Sequence, residues 1–216
     1  MKHTLRSALQ LLLSSAAAML ILAMSGCQTR DDPGGGKDIV TFQLSPSSDG
    51  VGEFMELLGE DQLEYNSGSC YNVTPQDITE RYGFQVFKFD TSCGSFLEYE
   101  DGIYPLGVWL GGCGVTSFAV ADMNEDGNAE LFFTFSWGSG MHRSQAGYFD
   151  SAKKDVVIFD FINWGNDSVL KLDENQTLCL YQADCDYESF VDINMIPGDK
   201  LARITWTSDR ISLTEE

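Results

Sequence analysis

Beyond Phe84 the chain repeats one pattern. Short runs of aromatic, β-branched and aliphatic residues are cut by turn residues about every 8 to 12 positions. The runs fall at 84–89, 95–99, 103–106, 115–121, 130–137, 145–149, 156–161, 169–172, 177–181, 187–193, 201–206 and 211–213. Such spacing predicts antiparallel strands, because parallel neighbours need crossover segments of about a dozen residues or more. No helical period separates these runs. Glu100-Asp101-Gly102 has the chemistry of a hairpin turn, and residues 38–44 alternate well enough to supply a first strand.

Only two stretches carry the helical period, and both precede Phe84. In 51–60, Val51, Phe54, Leu57 and Leu58 fall three, six and seven positions apart from the first, which predicts a short amphipathic helix. A second helix is expected after Thr74, with Thr74 as N-cap, Pro75 at the first helical position, Asp77 in the first turn and Gly83 as the C-cap. The expected class is therefore mainly β, α+β in its N-terminal part: an antiparallel meander with two short helices, in a single domain over 38–216. Strand order stays open among a partial propeller, a sandwich and an open sheet.

Charge excludes whole classes of partner. Thirteen Lys and Arg face 33 Asp and Glu, a net charge of −20. Such a chain repels phosphate backbones, so no nucleic acid is expected as a partner, and it has no basic patch for an anionic membrane. Most of the acidic residues fall in turns and on polar strand faces, where they keep the surface solvated. His3 and His142 are the whole histidine complement. Five cysteines lie in the expected domain: Cys70, Cys93, Cys113, Cys179 and Cys185. An odd number leaves at least one thiol unpaired within the chain. Cys179 with Cys185, and Cys70 with Cys93, are candidate pairs, beside the alternative of buried free thiols.

Residues 122–130 read Asp-Met-Asn-Glu-Asp-Gly-Asn-Ala-Glu. Side-chain oxygens at positions 1, 3, 5 and 9, around a glycine at 6, suit a hard cation that takes oxygen ligands at flexible geometry. An EF-hand would need a glutamate at position 12, which is Phe133 here, and its flanks would be helices rather than the strands expected. The segment instead resembles the D-x-D-x-D-G-x-x-D loop of integrin-type FG-GAP and VCBS repeats, which joins two β-strands. That resemblance covers about 20 residues and implies a structural Ca²⁺ held by the side chains of Asp122, Asn124, Asp126 and Glu130 and by the Asn128 carbonyl. Glu130 replaces the usual aspartate, and a single copy is present where propellers of that family carry several.

Directly downstream, Ser136-Trp137-Gly138-Ser139-Gly140-Met141-His142-Arg143-Ser144 is the most unusual patch. Its glycines permit close backbone approach, and Trp137, Ser139, His142 and Arg143 form a candidate ligand patch. A Ser139–His142 pair would be the core of a rival hydrolase reading, although the segment is not a G-x-S-x-G nucleophile elbow. Trp109, Trp137, Trp164 and Trp206 could stack on sugar rings where exposed. The stretch 96–150 resembles uncharacterised lipoproteins of Gram-positive gut bacteria, a likeness that implies export and no activity.

The N-terminus reads as an address. Lys2 and Arg6 precede a run at 8–24 that carries no charge. With Gln10, Ser14 and Ser15 inside it, the run suits a signal-peptide core better than a stable membrane span. It ends Met24-Ser25-Gly26-Cys27, which resembles the bacterial lipoprotein cleavage box with Met24 in a position commonly leucine. The resemblance implies removal of 1–26 and lipidation of Cys27 as the mature N-terminus. Residues 27–37, polar and Gly-rich, then serve as a tether. Together these features describe a lipoprotein anchored to a bacterial cell membrane and facing outside the cytoplasm. Its domain would serve binding or scaffolding toward a protein or glycan partner; an acidic protein-binding or inhibitory module and the hydrolase are the alternatives.

Overall fold

The computed structural model describes residues 38–59, 66–108 and 110–216. The expected signal segment, the lipidation site Cys27, the tether and Trp109 lie outside the described residues. No helix among the described residues is long and apolar enough to cross a membrane.

The class expected from the sequence is the one observed: mainly β, with two short helices and three antiparallel sheets. Strands β1 (Val40–Phe42), β6 (Gly114–Ala121), β7 (Glu130–Trp137), β8 (Arg143–Asp150) and β10 (Asn163–Trp164) run side by side in that order. Strand β9 (Asp155–Ile158) completes this sheet by pairing with β8. A second sheet orders β2 (Cys70–Asn72), β3 (Gln85–Phe89), β4 (Ser95–Tyr99) and β5 (Gly102–Pro105). A third orders β11 (Asp167–Leu172), β12 (Leu178–Ser189), β13 (Asp192–Thr207) and β14 (Arg210–Glu215).

Period-two alternation decides how the sheets stack. On the six-stranded sheet Phe118, Val120, Leu131, Phe133, Phe135 and Phe149 face one way, into a core completed by Val86, Leu97 and Leu106 of the β2–β5 side. Ala119, Ala121, Phe132, Ala146 and Tyr148 face the other way, against Leu170, Leu178, Leu180, Ala202 and Ile204 of the β11–β14 sheet. The six-stranded sheet is thus the middle of three layers, which is why every residue of β6 is buried. Of the open topologies this is a sandwich, with one more sheet than the usual two. Helix α1 (Val51–Leu58) closes the outer face of the β2–β5 sheet, where Phe54 stacks on Phe87 at a centroid distance of 4.1 Å.

Three local expectations are corrected. The hydroxyl of Thr74 does not cap helix α2 (Gln76–Tyr82); Pro75 occupies the N-cap. Thr74 instead accepts the amide of Val86 at 2.7 Å, so its hydroxyl is spent on strand β3 rather than on the helix start. The run at 187–193 is not one strand: Phe190 and Val191 form the turn between β12 and β13, with the amide of Asp192 bonded to Ser189 Oγ at 3.2 Å. Conversely the expected breaks at 182–186 and 194–200 lie inside β12 and β13, which absorb Ala183 and Pro197 through register shifts. Strand β14 pairs only with 202–207 of β13, so Pro197 sits where the neighbouring edge is open and a missing N–H is tolerated. Gly83 ends α2 as expected, with φ of 75° and its amide on the Thr79 carbonyl.

Candidate ion-binding loop and ligand patch

Residues 122–129 form the connection between β6 and β7, closed by the pairing of Ala121 with Glu130. The loop is tied by its own side chains. Asp122 accepts the amide of Asp126 at Oδ1 (3.0 Å) and that of Gly127 at Oδ2 (2.9 Å). Asn124 Oδ1 accepts the Asp126 amide as well (2.9 Å), and Asp126 Oδ1 accepts that of Asn128 (2.8 Å). These bonds let Glu125 hold a left-handed φ of 61°, two residues before Gly127 at 88°. Asp126 is held below its ordinary carboxylate range, first by the Asn128 amide.

Glu130 differs from the rest. It is 2% exposed, at the first position of β7, with Oε2 accepting the Met123 amide at 2.8 Å. Burial pushes its carboxyl up to about 7, against the pull of the Met123 amide, and Asp122, Asp126 and Asp150 push the same way. The donor set is all oxygen, the chemistry that a hard cation takes. A hard cation would relieve the crowding of these carboxylates, so the residues fit Ca²⁺ in chemistry. They are nevertheless turned to backbone amides, and among the described residues no three His, Cys, Asp or Glu side chains are gathered as for a metal ion. The Asn128 side chain also turns inward, donating to Asp126 Oδ1 at 3.1 Å.

The second candidate region is the β7–β8 hairpin. Trp137 pairs across it with Arg143, and Trp164 of β10 pairs with Arg143 from the other side. The guanidinium lies over both indoles, 5.0 Å from the Trp137 ring and 4.9 Å from that of Trp164. Trp164 is 60% exposed and Met141 55% exposed. His142 turns away from Ser139: its Nδ1 lies 3.3 Å from Asp167 Oδ2, while Ser139 sits exposed at the tip. His142, Asp167 and Cys185 line one pocket of about 450 Å³. The structure therefore joins Trp137 to Arg143 and brings in Trp164, Asp167 and Cys185, none of which sequence spacing connected to the patch.

Unsatisfied polar atoms concentrate at this end of the molecule. Among the described residues the buried side-chain atoms without a hydrogen-bond partner are Ser136 Oγ, Trp137 Nε1, Arg143 Nε, Ser144 Oγ and Asp167 Oδ1. Ser136 pairs directly with Ser144, and Trp137 with Arg143, so four of the five lie on two successive cross-strand rungs. On the β2–β5 side of the middle sheet, Lys88 is completely buried and donates to the carbonyls of Cys113 (3.0 Å) and Val115. Burial brings its amine down to about 7.

No protein-family model matches this chain, and no curated protein or solved structure is significantly similar to it.

Proposed function

We propose that the protein is a lipoprotein anchored through Cys27 on the outer side of a bacterial cell membrane, with a calcium-stabilised β domain that serves binding. The observation that carries the binding reading is the pair of unpartnered buried atoms, Trp137 Nε1 and Arg143 Nε, on one rung of the hairpin. Each costs about 1–3 kcal/mol unless something answers it, and a ligand at the hairpin would. The exposed Trp164 face beside them suits a flat apolar group such as a sugar ring or an aromatic side chain. The anchor is supported by Met24 to Cys27 in the sequence, and the ion by the oxygen donors of 122–130 around buried Glu130.

The test has two arms. Expressed in a bacterium, the wild-type chain should incorporate labelled fatty acid and sediment with membranes, and Cys27→Ala should do neither. An equally labelled variant overturns the anchor. In detergent, Trp164→Ala and Arg143→Ala should lose retention on a panel of immobilised glycans and basic proteins with their melting temperature kept. Retention of all panel members by neither wild type nor variants overturns the binding reading.

A second reading is favoured by the His142–Asp167 contact: a hydrolase in which Asp167 orients His142. It no longer has Ser139 within the pair's pocket, whose thiol-bearing lining residue is Cys185. Hydrolysis of a p-nitrophenyl ester that disappears in His142→Ala at unchanged melting temperature would favour it over binding.

A further inference from the structure

The five cysteines of the described residues are free thiols in this structure, yet two of them pack in one cluster. Cys113, fully buried, directly precedes β6 in the middle sheet. Cys185 lies in the middle of β12, opposite Met195. Both pack into one small apolar cluster with Ala183, Ile193 and Met195.

The candidate pairs suggested by sequence proximity fare otherwise. Cys179 and Cys185 stand six residues apart on the same strand, about 20 Å at some 3.3 Å per residue, far beyond the reach of a disulfide. Cys70 packs with Phe54, Phe87 and Phe89 under α1, and no disulfide joins it to Cys93 in this structure. The nearest rival is Cys93, whose carbonyl abuts Gly114 and whose thiol also faces Lys88.

We propose that Cys113 and Cys185 form a disulfide that ties the start of β6 in the middle sheet to β12 in the outer sheet. The surroundings favour the exchange. The neighbouring Cys185 thiol, the largest influence, eases loss of the Cys113 proton, and Lys88 and His142 act the same way against the opposing effects of burial and Asp167. The neighbouring Cys113 thiol, followed by burial, keeps the Cys185 proton in place. Cys185 also lines the open pocket of about 450 Å³, which gives an oxidant its way in, whereas Cys113 lies behind it.

The oxidant is a disulfide, small or protein-borne, and the reaction is exchange. One cysteine sulfur joins one sulfur of the oxidant, releasing the first thiol, and the other cysteine sulfur then displaces the second. Two protein S–H bonds and the oxidant's S–S bond are lost. The Cys113–Cys185 bond and two S–H bonds on the released thiols are gained, so both electrons and both protons leave with the reduced oxidant. Occurrence of this bond in the cell rests on the export reading, since exported chains meet an oxidising compartment; the geometry does not.

The experiment equilibrates the full, reduced chain in a mixture of oxidised and reduced glutathione, alkylates the remaining thiols, and maps the peptides without reduction. The expected result is one cross-linked peptide joining Cys113 to Cys185, lighter by two hydrogens than the reduced pair, with Cys70, Cys93 and Cys179 alkylated. In Cys185→Ser the expected result is alkylated Cys113, and wild-type mapping decides by itself where that variant fails to fold. Alkylation of both Cys113 and Cys185, or a bond from Cys113 to Cys93, overturns the proposal. The same mapping on protein acid-quenched from cells separates the two readings. A bond formed in glutathione but missing from the cellular protein upholds the pairing and counts against export.

Discussion

Lys88 sits in the strand segment Gln-Val-Phe-Lys-Phe, where alternation sends Val86 and Lys88 toward the middle sheet and Phe87 and Phe89 toward α1. A neutral amine donates two hydrogen bonds, which matches the two carbonyls it meets. Its amine falls to about 7 through burial, below the ordinary 10.5. Between those values the unfolded chain binds a proton that the folded chain does not, so stability rises with pH, by up to about 1.4 kcal/mol per unit from this group. The opposite contribution of Glu130, whose carboxyl is raised to about 7, is spent by that pH. Cys70 and Cys179, pushed up to about 11, lose stability only on the alkaline side of 9. Urea unfolding at pH 7.5 and 8.5 should therefore show greater stability at the higher pH in wild type and a flattened response in Lys88→Met. An undiminished slope in the variant would show that Lys88 keeps its proton in the fold.

At the scale of elements, the two helices and most strand segments were legible because their signals are local. Phe54 and Leu58 mark one helix face, and Glu100-Asp101 forms the two-residue turn between β4 and β5 that its chemistry announces. The long β12–β13 hairpin was not legible, because Ala183 and Pro197 read as breaks until a partner strand and a bulge accommodate them. Phe54 anchors helix α1 against Phe87 and Phe96, so Phe54→Ala should cost about 3–5 kcal/mol in denaturant unfolding; a loss under ~1 kcal/mol would mean that α1 contributes little to the domain. The β6–β7 loop gives the ion prediction. With ~1 mM Ca²⁺ and a ~0.1 mM dissociation constant, binding adds roughly 1.4 kcal/mol. The melting midpoint should then rise by roughly 3–6 °C over a chelated sample, and Asp126→Ala should abolish the rise. Equal midpoints with ion and chelator would leave 122–129 as a turn held by its own Asx bonds.

The whole molecule stacks three sheets and a helix under a net charge of −20. Self-repulsion of that size opposes compaction, and salt screens it over about 10 Å at 0.1 M. Raising NaCl from ~0.02 to ~0.5 M should therefore raise the melting temperature in the absence of calcium. A falling midpoint would place the acidic residues in favourable ion pairs rather than on a solvated face. If the acidic surface is what captures a basic partner, that capture should fade over the same salt range, while stacking on Trp164 should persist.

Composition and period by themselves determined that this chain is mainly β, with two helices before Phe84 and an oxygen-rich loop between two strands, because each of these follows from neighbours within a few residues. Tertiary structure alone decided that the β6–β8 sheet lies in the middle and is covered on both faces. It also decided that Lys88 is buried, that His142 turns to Asp167 and not Ser139, and that Cys185 meets Cys113 and not Cys179. Those facts depend on which sheet faces which, set by contacts between residues far apart in the chain; a strand's alternation says which residues share a face, but not what that face will meet.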